Sequence, residues 1–381
     1  MMAYFDNAAT TFPKPDCVYD FMTEFYKSSG GNYGRGNSSQ AKSSGVIINE
    51  TRNLLLELFH CPANQVIFTP SATIALNMII HGLVFKGAIN IYISPFEHNA
   101  VTRVLHAMEK THEIKVHVLD CDEDLNYDFE KIKYAFEENK PDLVIVCHVS
   151  NVIGLISPVE KIFEIAKSFN VVTVADCSQS AGLVDLNLSQ NFDFAVFAGH
   201  KTLYGPTGIS GFIMKKDFNL PSVLFGGTGF ESLNQDMPSS LPEKFEMGTQ
   251  NILGIAGLNA SLKWIKEIGV QKLFEKEVQN RKCLLEIFEK YDFIKVVGNS
   301  QNQNFTGIVS ILLDGISSDS ASAVFSERNI SVRTGLQCAP FAHKFLGTSP
   351  AGTIRFSTGW FTNDKDFEEL ENALKDIEDL M

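Results

Sequence analysis

The sequence predicts an α/β fold: a largely parallel sheet covered by helices, with a smaller α+β domain toward the C-terminus. Three observations carry this expectation. Short apolar runs alternate with helical patterns through the first half of the chain. The chain has 381 residues, more than one small core accommodates, which points to two domains. Polar, chemistry-bearing residues follow directly after the apolar runs, and a parallel sheet gathers its ligands at the carboxyl ends of its strands.

Taken in order, the opening MMAYFDNAATTFPKP (1–15) is turn-rich and polar around Asp6-Asn7, and helical patterns follow near 16–27 and 41–59. The runs VIFT (66–69), NIYIS (90–94), KVHVL (115–119), LVIVCHV (143–149), VVTVAD (171–176) and FAVFA (194–198) have the length and apolar content of short buried strands. Helical patterns at 73–85, 99–110, 127–138 and 158–168 separate several of them. That alternation is the signature of a parallel sheet covered on both faces. Gly205-Pro206-Thr207-Gly208 marks a sharp turn before a further apolar strand, ISGFIM (209–214). Residues 226–244, rich in Gly, Ser and Pro, read as a long loop, which calls for a functional reason. A helical pattern starts at about residue 252. FIKVV (293–297), GIVSILL (307–313), ISVRT (330–334) and TIRFS (353–357) then mix with helices, and a helix over about 364–380 closes the chain.

Composition narrows the function classes. Apolar residues make up 44% and charged residues 20%, an ordinary soluble balance. The formal net charge is −13 and no basic tract stands out, so neither nucleic acid nor an anionic membrane surface is expected as a partner. No window of ~20 apolar residues suggests a membrane span, and no charged start with an apolar run suggests a signal peptide. The seven cysteines are scattered, odd in number and without a CxxC pair. They fit free thiols in a reducing, cytoplasmic setting, with neither a disulfide framework nor a metal site.

Several post-strand residues admit both a chemical and an ordinary reading. Lys201, in FAGHKTLYGP, suits a Schiff base with pyridoxal phosphate, or is an exposed loop lysine. Asp176, ending VVTVAD, suits pairing with the protonated ring nitrogen of that cofactor, or is a helix N-cap. Thr69-Pro70-Ser71-Ala72-Thr73 sits at a strand-to-helix junction, where free N–H groups and a threonine hydroxyl hold a phosphate or a Ser71 or Thr73 side chain simply caps the helix. His98, in FEHNA, suits stacking on a cofactor ring and proton handling, or is structural. Asn151, in HVSNVIG, is a donor to a ring hydroxyl or an Asx-turn residue. In SVRTGLQCAPFAH (331–343), Cys338 lies between Gly335 and Pro340, as in a loop, and Arg333 offers positive charge nearby. A reactive thiolate needs such exposure, whereas a free cysteine without it is a core residue.

Together these stretches resemble the class V, fold-type I pyridoxal-phosphate enzymes, close to the cysteine desulfurase and selenocysteine lyase family. The resemblance covers essentially the whole chain through YFDNAATTFP, NYGRGN, TPSAT, FEHNA, HVSNVIG, DCSQ, GHKTLYGPTG, FEMGTQN, VRTGLQCAP and GTIRFST. It implies the PLP-dependent transferase fold type I, with a largely parallel seven-stranded sheet. It implies an N-terminal segment (1–15) near the small domain and active site, a large cofactor-binding domain (16–255), and a small domain (256–381) carrying the reactive cysteine and the substrate arginine. By the same resemblance Lys201 carries the cofactor, Asp176 pairs with its ring nitrogen, and Gln179 and Asn151 contact the ring oxygen region. His98 stacks on the ring, Ala72 belongs to the cofactor site, and Thr73 and His200 bind the phosphate. Thr249 reaches the phosphate of the neighbouring subunit in a homodimer with shared active sites. Arg355 clamps the substrate carboxylate, and Asn32 and Arg35 line the mouth.

The implied reaction converts L-cysteine to L-alanine and leaves sulfur on Cys338 as a persulfide, with His98 as proton shuttle and a sulfur-acceptor protein as the next partner. Such persulfides feed iron–sulfur cluster assembly, thiolated RNA bases or molybdenum cofactor. Selenocysteine lyase and other class V reactions, such as aminotransfer or epimerisation, use the same framework, and a protein keeping the fold only for assembly or regulation is a non-enzymatic alternative. The chain departs from the family pattern at Ala198, where serine is usual, and at Leu336-Gln337, where two histidines are usual. His343 is open between a local role at the cysteine and a solvated surface position.

Overall fold

The computed structural model describes residues 3–29, 31, 39–231 and 233–379. The elements are β1 (Ala3–Tyr4), α1 (Asp16–Ser29), α2 (Ser39–Leu58), β2 (Gln65–Thr69), α3 (Ala72–Phe85), β3 (Asn90–Ile93), α4 (Asn99–Glu109), β4 (Lys115–Val118), α5 (Phe129–Glu138), β5 (Leu143–Cys147), α6 (Val159–Ser168), β6 (Val172–Asp176), β7 (Phe194–Ala198) and β8 (Ser210–Met214). They continue with α7 (Ile252–Ile268), α8 (Val270–Phe288), β9 (Ile294–Val297), β10 (Ile308–Leu313), α9 (Ser318–Glu327), β11 (Ile330–Ser331), β12 (Arg333–Gly335), α10 (Pro340–Phe345), β13 (Thr353–Ser357) and α11 (Asp364–Glu378). No helix among the described residues is long and apolar enough to cross a membrane.

Seven strands form the central sheet in the order β2-β8-β7-β6-β5-β3-β4. β4, β3, β5, β6 and β7 run parallel, while β8 is antiparallel to both β7 and β2. The exception has a local cause. Only the tight turn 199–209, with Tyr204 and Gly208 in the left-handed region, joins β7 to β8. A parallel return requires a crossover of a dozen or more residues. Apart from the edge strand β4, the sheet is buried on both faces. In FAVFA, Phe194 and Val196 enter one apolar cluster and Ala195 and Phe197 the other, the two-residue period of a strand.

A second, antiparallel sheet has the order β12-β13-β10-β9, and β1 pairs in parallel with β11. Phe5, from the opening segment, is fully buried with Phe325, Phe356 and Leu370. The first residues of the chain therefore complete a core made mostly by the last hundred, and then reach back to the central sheet through Thr10 and Thr11, whose hydroxyls donate to the His200 carbonyl at 3.0 and 3.3 Å.

Two strand expectations change. KVHVL does not form a buried strand. β4 lies at the sheet edge with only β3 beside it, and Val118 is 49% exposed. Its apolar alternation faces water on one side because nothing among the described residues continues the sheet. ISVRT is not one strand either. It divides at Val332, with Ile330–Ser331 pairing to β1 and Arg333–Gly335 to β13. The chain changes sheets there, and the change carries the following segment, with Cys338, toward the central sheet. Residues 226–231 and 233–244 are irregular chain, as expected.

Candidate active site

A cavity of about 330 Å³ lies at the carboxyl ends of the central strands. Ala72, Thr73, His98, Asn151, Asp176, Gln179, His200, Lys201, Cys338 and Arg355 all line it. Thr249 does not. It lines a separate cavity with Phe68, Glu246 and Met247. Asn32 and Arg35 lie outside the described residues.

The lysine is placed by the turn after β7. Gly199 N–H donates to the Ile209 carbonyl at 3.1 Å, and the Gly199 carbonyl accepts from Gly205 N–H at 2.8 Å. A Cβ on Gly199 would come within 2.4 Å of the Ile209 oxygen, so this turn needs glycine. Thr11 donates to the Lys201 carbonyl at 3.1 Å and Lys14 Nζ to the His200 carbonyl at 2.6 Å, tying the turn to the N-terminal segment. Burial lowers the pKa of Lys201, and the Asp176 charge acts in the opposite direction. Removal from water thus favours the neutral, nucleophilic amine.

Asp176 ends β6 and is buried, with Oδ1 accepting from Ser178 N–H at 3.0 Å. His98 caps α4: its Nδ1 accepts from Ala100 N–H at 3.0 Å. Burial, followed by the Lys201 charge, pushes its pKa down to about 4. A neutral imidazole whose Nδ1 accepts carries its proton on Nε2. His200 is likewise held neutral, its pKa pushed down to about 4 first by burial and then by Lys201. At the start of α3, Ser71 accepts from Ile74 N–H at 3.3 Å. Ser71 is therefore the cap, while Ala72 and Thr73 open the helix at the cavity wall with a helix N-terminus that favours anions.

Arg355, on β13, is 3% exposed. Its Nη1 donates to the Asn151 carbonyl and its Nη2 to Asp6 Oδ1, each at 2.8 Å, while Nε is buried without a partner. Asn151 Nδ2 donates to the Gln337 carbonyl at 2.7 Å and its Oδ1 is buried and unpartnered. Gln179 Nε2 donates to the Ala8 carbonyl at 2.8 Å. Arg333 lines the same cavity as Cys338 and donates to Asp6 Oδ2 at 2.8 Å. Asp6 joins the two arginines.

Cys338 is exposed, on a loop, in the left-handed region at φ 57°. It lines the cavity and also an outer groove shared with Arg103, Val118 and Phe341. His343 is not solvated: it is fully buried, with Nδ1 2.8 Å from Thr348 Oγ1 and Nε2 2.8 Å from Gln337 Oε1.

Sequence reading missed two groups. Asp6 stood out only as part of a polar turn, and its arginine partner is 349 residues away. Glu97 gave no separate signal from its neighbour His98. It is fully buried, accepts from Ser94 Oγ and Cys147 N–H at 2.6 Å each, and burial pushes its pKa up to about 8. Burial thus favours its neutral form.

The donor set fits a phosphorylated pyridine aldehyde. It offers an amine, a carboxylate, a neutral imidazole, a helix N-terminus for phosphate, and unpartnered buried polar atoms on His200 Nδ1 and Asn151 Oδ1.

Comparison with known proteins points the same way. The family model described as aminotransferase class-V matches residues 3–372. A protein of Pyrococcus abyssi described as "Probable cysteine desulfurase" is 31% identical over 99% of this chain and 94% of its own length. One of the same description from Methanothermobacter thermautotrophicus is 28% identical over 98% of this chain and 94% of its own. The apo structure of a cysteine desulfurase from Thermococcus onnurineus NA1 is 28% identical and covers 100% of this chain and 95% of its own, with a TM-score of 0.89.

Proposed function

This chain belongs to the aminotransferase class-V family, in its cysteine desulfurase branch, and we propose that it is a pyridoxal-phosphate-dependent enzyme converting L-cysteine to L-alanine with transfer of sulfur to Cys338. The observation that carries this reading is one cavity lined by a thiol on an exposed residue, a desolvated amine and a buried guanidinium: Cys338, Lys201 and Arg355. An aminotransfer or epimerisation site has use for the last two and none for the first.

The cofactor would supply an electron sink for the bonding electrons of the substrate Cα–H bond. Lys201 would hold it covalently, Asp176 would pair with its ring nitrogen, and the α3 N-terminus, Thr73 and His200 would take its phosphate. Ala198 offers no hydroxyl at the position where serine is usual, and the α3 amides with Thr73 compensate.

Arg355 orients the substrate by its carboxylate, through the free Nε and one Nη. The Lys201 amine, released when the substrate's amino group replaces it, would take the Cα proton at Nζ. The Cys338 thiolate attacks the substrate sulfur: a sulfur–sulfur bond forms, the carbon–sulfur bond breaks, and the carbon skeleton leaves as alanine after protonation. His98 Nε2 is the group that exchanges the thiol proton. Burial keeps its imidazole neutral at pH 7 with the hydrogen on Nε2, so Nε2 gives that proton to the departing carbon skeleton and then takes the thiol's.

Sulfur then passes from the Cys338 persulfide to an acceptor protein. Thr249, away from its own protomer's cavity, suits the role of reaching a neighbouring subunit's phosphate in a homodimer. The free cysteines suit a reducing, cytoplasmic setting.

The test is to incubate cofactor-loaded protein with L-cysteine and a reductant and to quantify alanine against Cys338→Ala. Alanine that disappears in the variant is the expected result. Alanine retained in the variant, or none from the wild type with a reductant that regenerates the thiol, overturns the proposal and turns attention to selenocysteine or another class V reaction.

A further inference from the structure

The loop that presents Cys338 is conformationally unfavourable by itself. Gln337 and Cys338 are consecutive non-glycine residues in the left-handed region, at φ 38° and 57°. Such residues persist only when their surroundings over-determine them.

What holds them is visible. The Gln337 carbonyl accepts from Asn151 Nδ2 and the Cys338 carbonyl from Asn99 N–H, both at 2.7 Å. The Gln337 side chain turns inward beneath the loop. Its Nε2 donates to the Thr353 carbonyl at 3.0 Å and the Arg333 carbonyl at 3.3 Å. Two carbonyl partners fix which end of the amide is nitrogen, so Oε1 is the end facing His343 Nε2 at 2.8 Å. Because Oε1 only accepts, His343 Nε2 carries the hydrogen. In the neutral ring Nδ1 is then an acceptor, satisfied by the Thr348 hydroxyl at 2.8 Å. This chain of bonds is buried and directional from Thr348 through His343 to Gln337. It ends at the residue before the thiol, at one of the two positions where the sequence departs from the family's paired histidines.

We propose that Gln337 and His343 are positioning residues that lock the left-handed turn aiming the Cys338 thiol at the cavity. Gln337 lines the cavity beside the thiol, with its side-chain amide held by His343 behind it. His343 orients the Gln337 amide, and the amide holds the backbone. The functional weight of this lock rests on the desulfurase reading, since the thiol it aims is the proposed sulfur acceptor.

The test uses cofactor-loaded His343→Met, which removes the nearer donor to Gln337 Oε1 and leaves the Thr353 hydroxyl at 3.3 Å, and His343→Gln, whose amide nitrogen reaches the position of Nε2. Three quantities are read: the rate of Cys338 alkylation by iodoacetamide, followed by peptide mass; kcat and KM for alanine formation; and Tm. H343M is expected to change the alkylation rate about fivefold and to lower kcat about tenfold, with KM within about twofold because Arg355 is untouched. H343Q is expected within about threefold of wild type on both rates. Equal alkylation and kcat in H343M and wild type overturn the proposal. So does an H343Q that falls as far as H343M in step with its Tm, which would mark simple packing. Should H343M not fold, Thr348→Val removes the hydroxyl's contacts with His343, at Nδ1 and at its carbonyl, and its kcat is expected to fall about threefold. An unchanged value overturns the proposal. A wild type that makes no alanine refutes the desulfurase reading alone, and the alkylation comparison still decides the lock.

Discussion

Replacing Asp6 with asparagine removes one charge and almost no volume from the junction between the N-terminal segment and Arg355. The guanidinium is 3% exposed, and Asp6 is the carboxylate in its hydrogen-bond set, with Oδ1 2.8 Å from Nη2. At an effective dielectric of about 20, two unit charges about 4 Å apart attract by about 4 kcal/mol. Breaking a buried pair by removing one partner costs about 3–5 kcal/mol, because the other charge stays behind. Asparagine can still accept one hydrogen bond from Nη2, so we expect D6N to destabilise the protein by about 3 kcal/mol, the low end of that range. Asp6 also holds Arg333, whose side chain is 50% exposed, and such a pair contributes no more than about 1 kcal/mol. R333A is therefore the internal control, expected to cost under about 1 kcal/mol. Denaturant unfolding of wild type, both single variants and the double variant measures each cost at a common m-value, and the cycle isolates the Arg333 part. In parallel, kcat/KM for cysteine should fall in D6N, because Arg355 loses the anchor that sets its plane. A D6N cost no larger than that of R333A would refute the reasoning: it would mean that the Asn151 carbonyl and the surrounding dipoles carry the buried charge without Asp6.

Two further outcomes are expected. Borohydride treatment of cofactor-loaded wild type should leave the cofactor mass on the peptide containing Lys201, and Lys201→Ala should carry none; label on another lysine would reassign the attachment. Glu277 is 4% exposed, accepts from Gly307 N–H at 3.1 Å, and burial pushes its pKa up to about 8. For an acid with a raised folded pKa, stability is fully present below the unfolded value near 4.5 and is lost as pH rises toward 8. Glu277→Gln should thus gain on wild type between pH 5 and pH 8, by up to roughly 3 kcal/mol, in paired denaturant melts; a difference flat with pH would show that Glu277 is not buried as a neutral acid.

Much of the scaffold was legible before the structure because strand and helix periods are local properties. FAVFA alternates between two cores, and the DCSQ and GHK stretches follow strands that the parallel sheet aligns. The residues after those strands therefore met in one cavity. Thr249, expected at a neighbouring subunit's phosphate, lines a separate cavity, reached through the irregular stretch before α7. KVHVL carried the apolar content of a buried strand, but whether a neighbour covers it is not a local property. The ISVRT run looked continuous because its composition is uniform, and only pairing with two different sheets divides it.

By itself the sequence determined the order of elements, the class of the fold and the chemical identity of the groups at the strand ends. These follow from burial periodicity and turn chemistry, which act between residues a few positions apart. The tertiary structure alone decided which charges and hydrogen-bond donors are partnered. Asp6 compensates Arg355 across 349 residues and holds Arg333 as well, and His343 is buried beneath Gln337. Electrostatic and hydrogen-bond energies depend on distances of a few ångströms and on how far water is excluded, and spacing along the chain encodes neither.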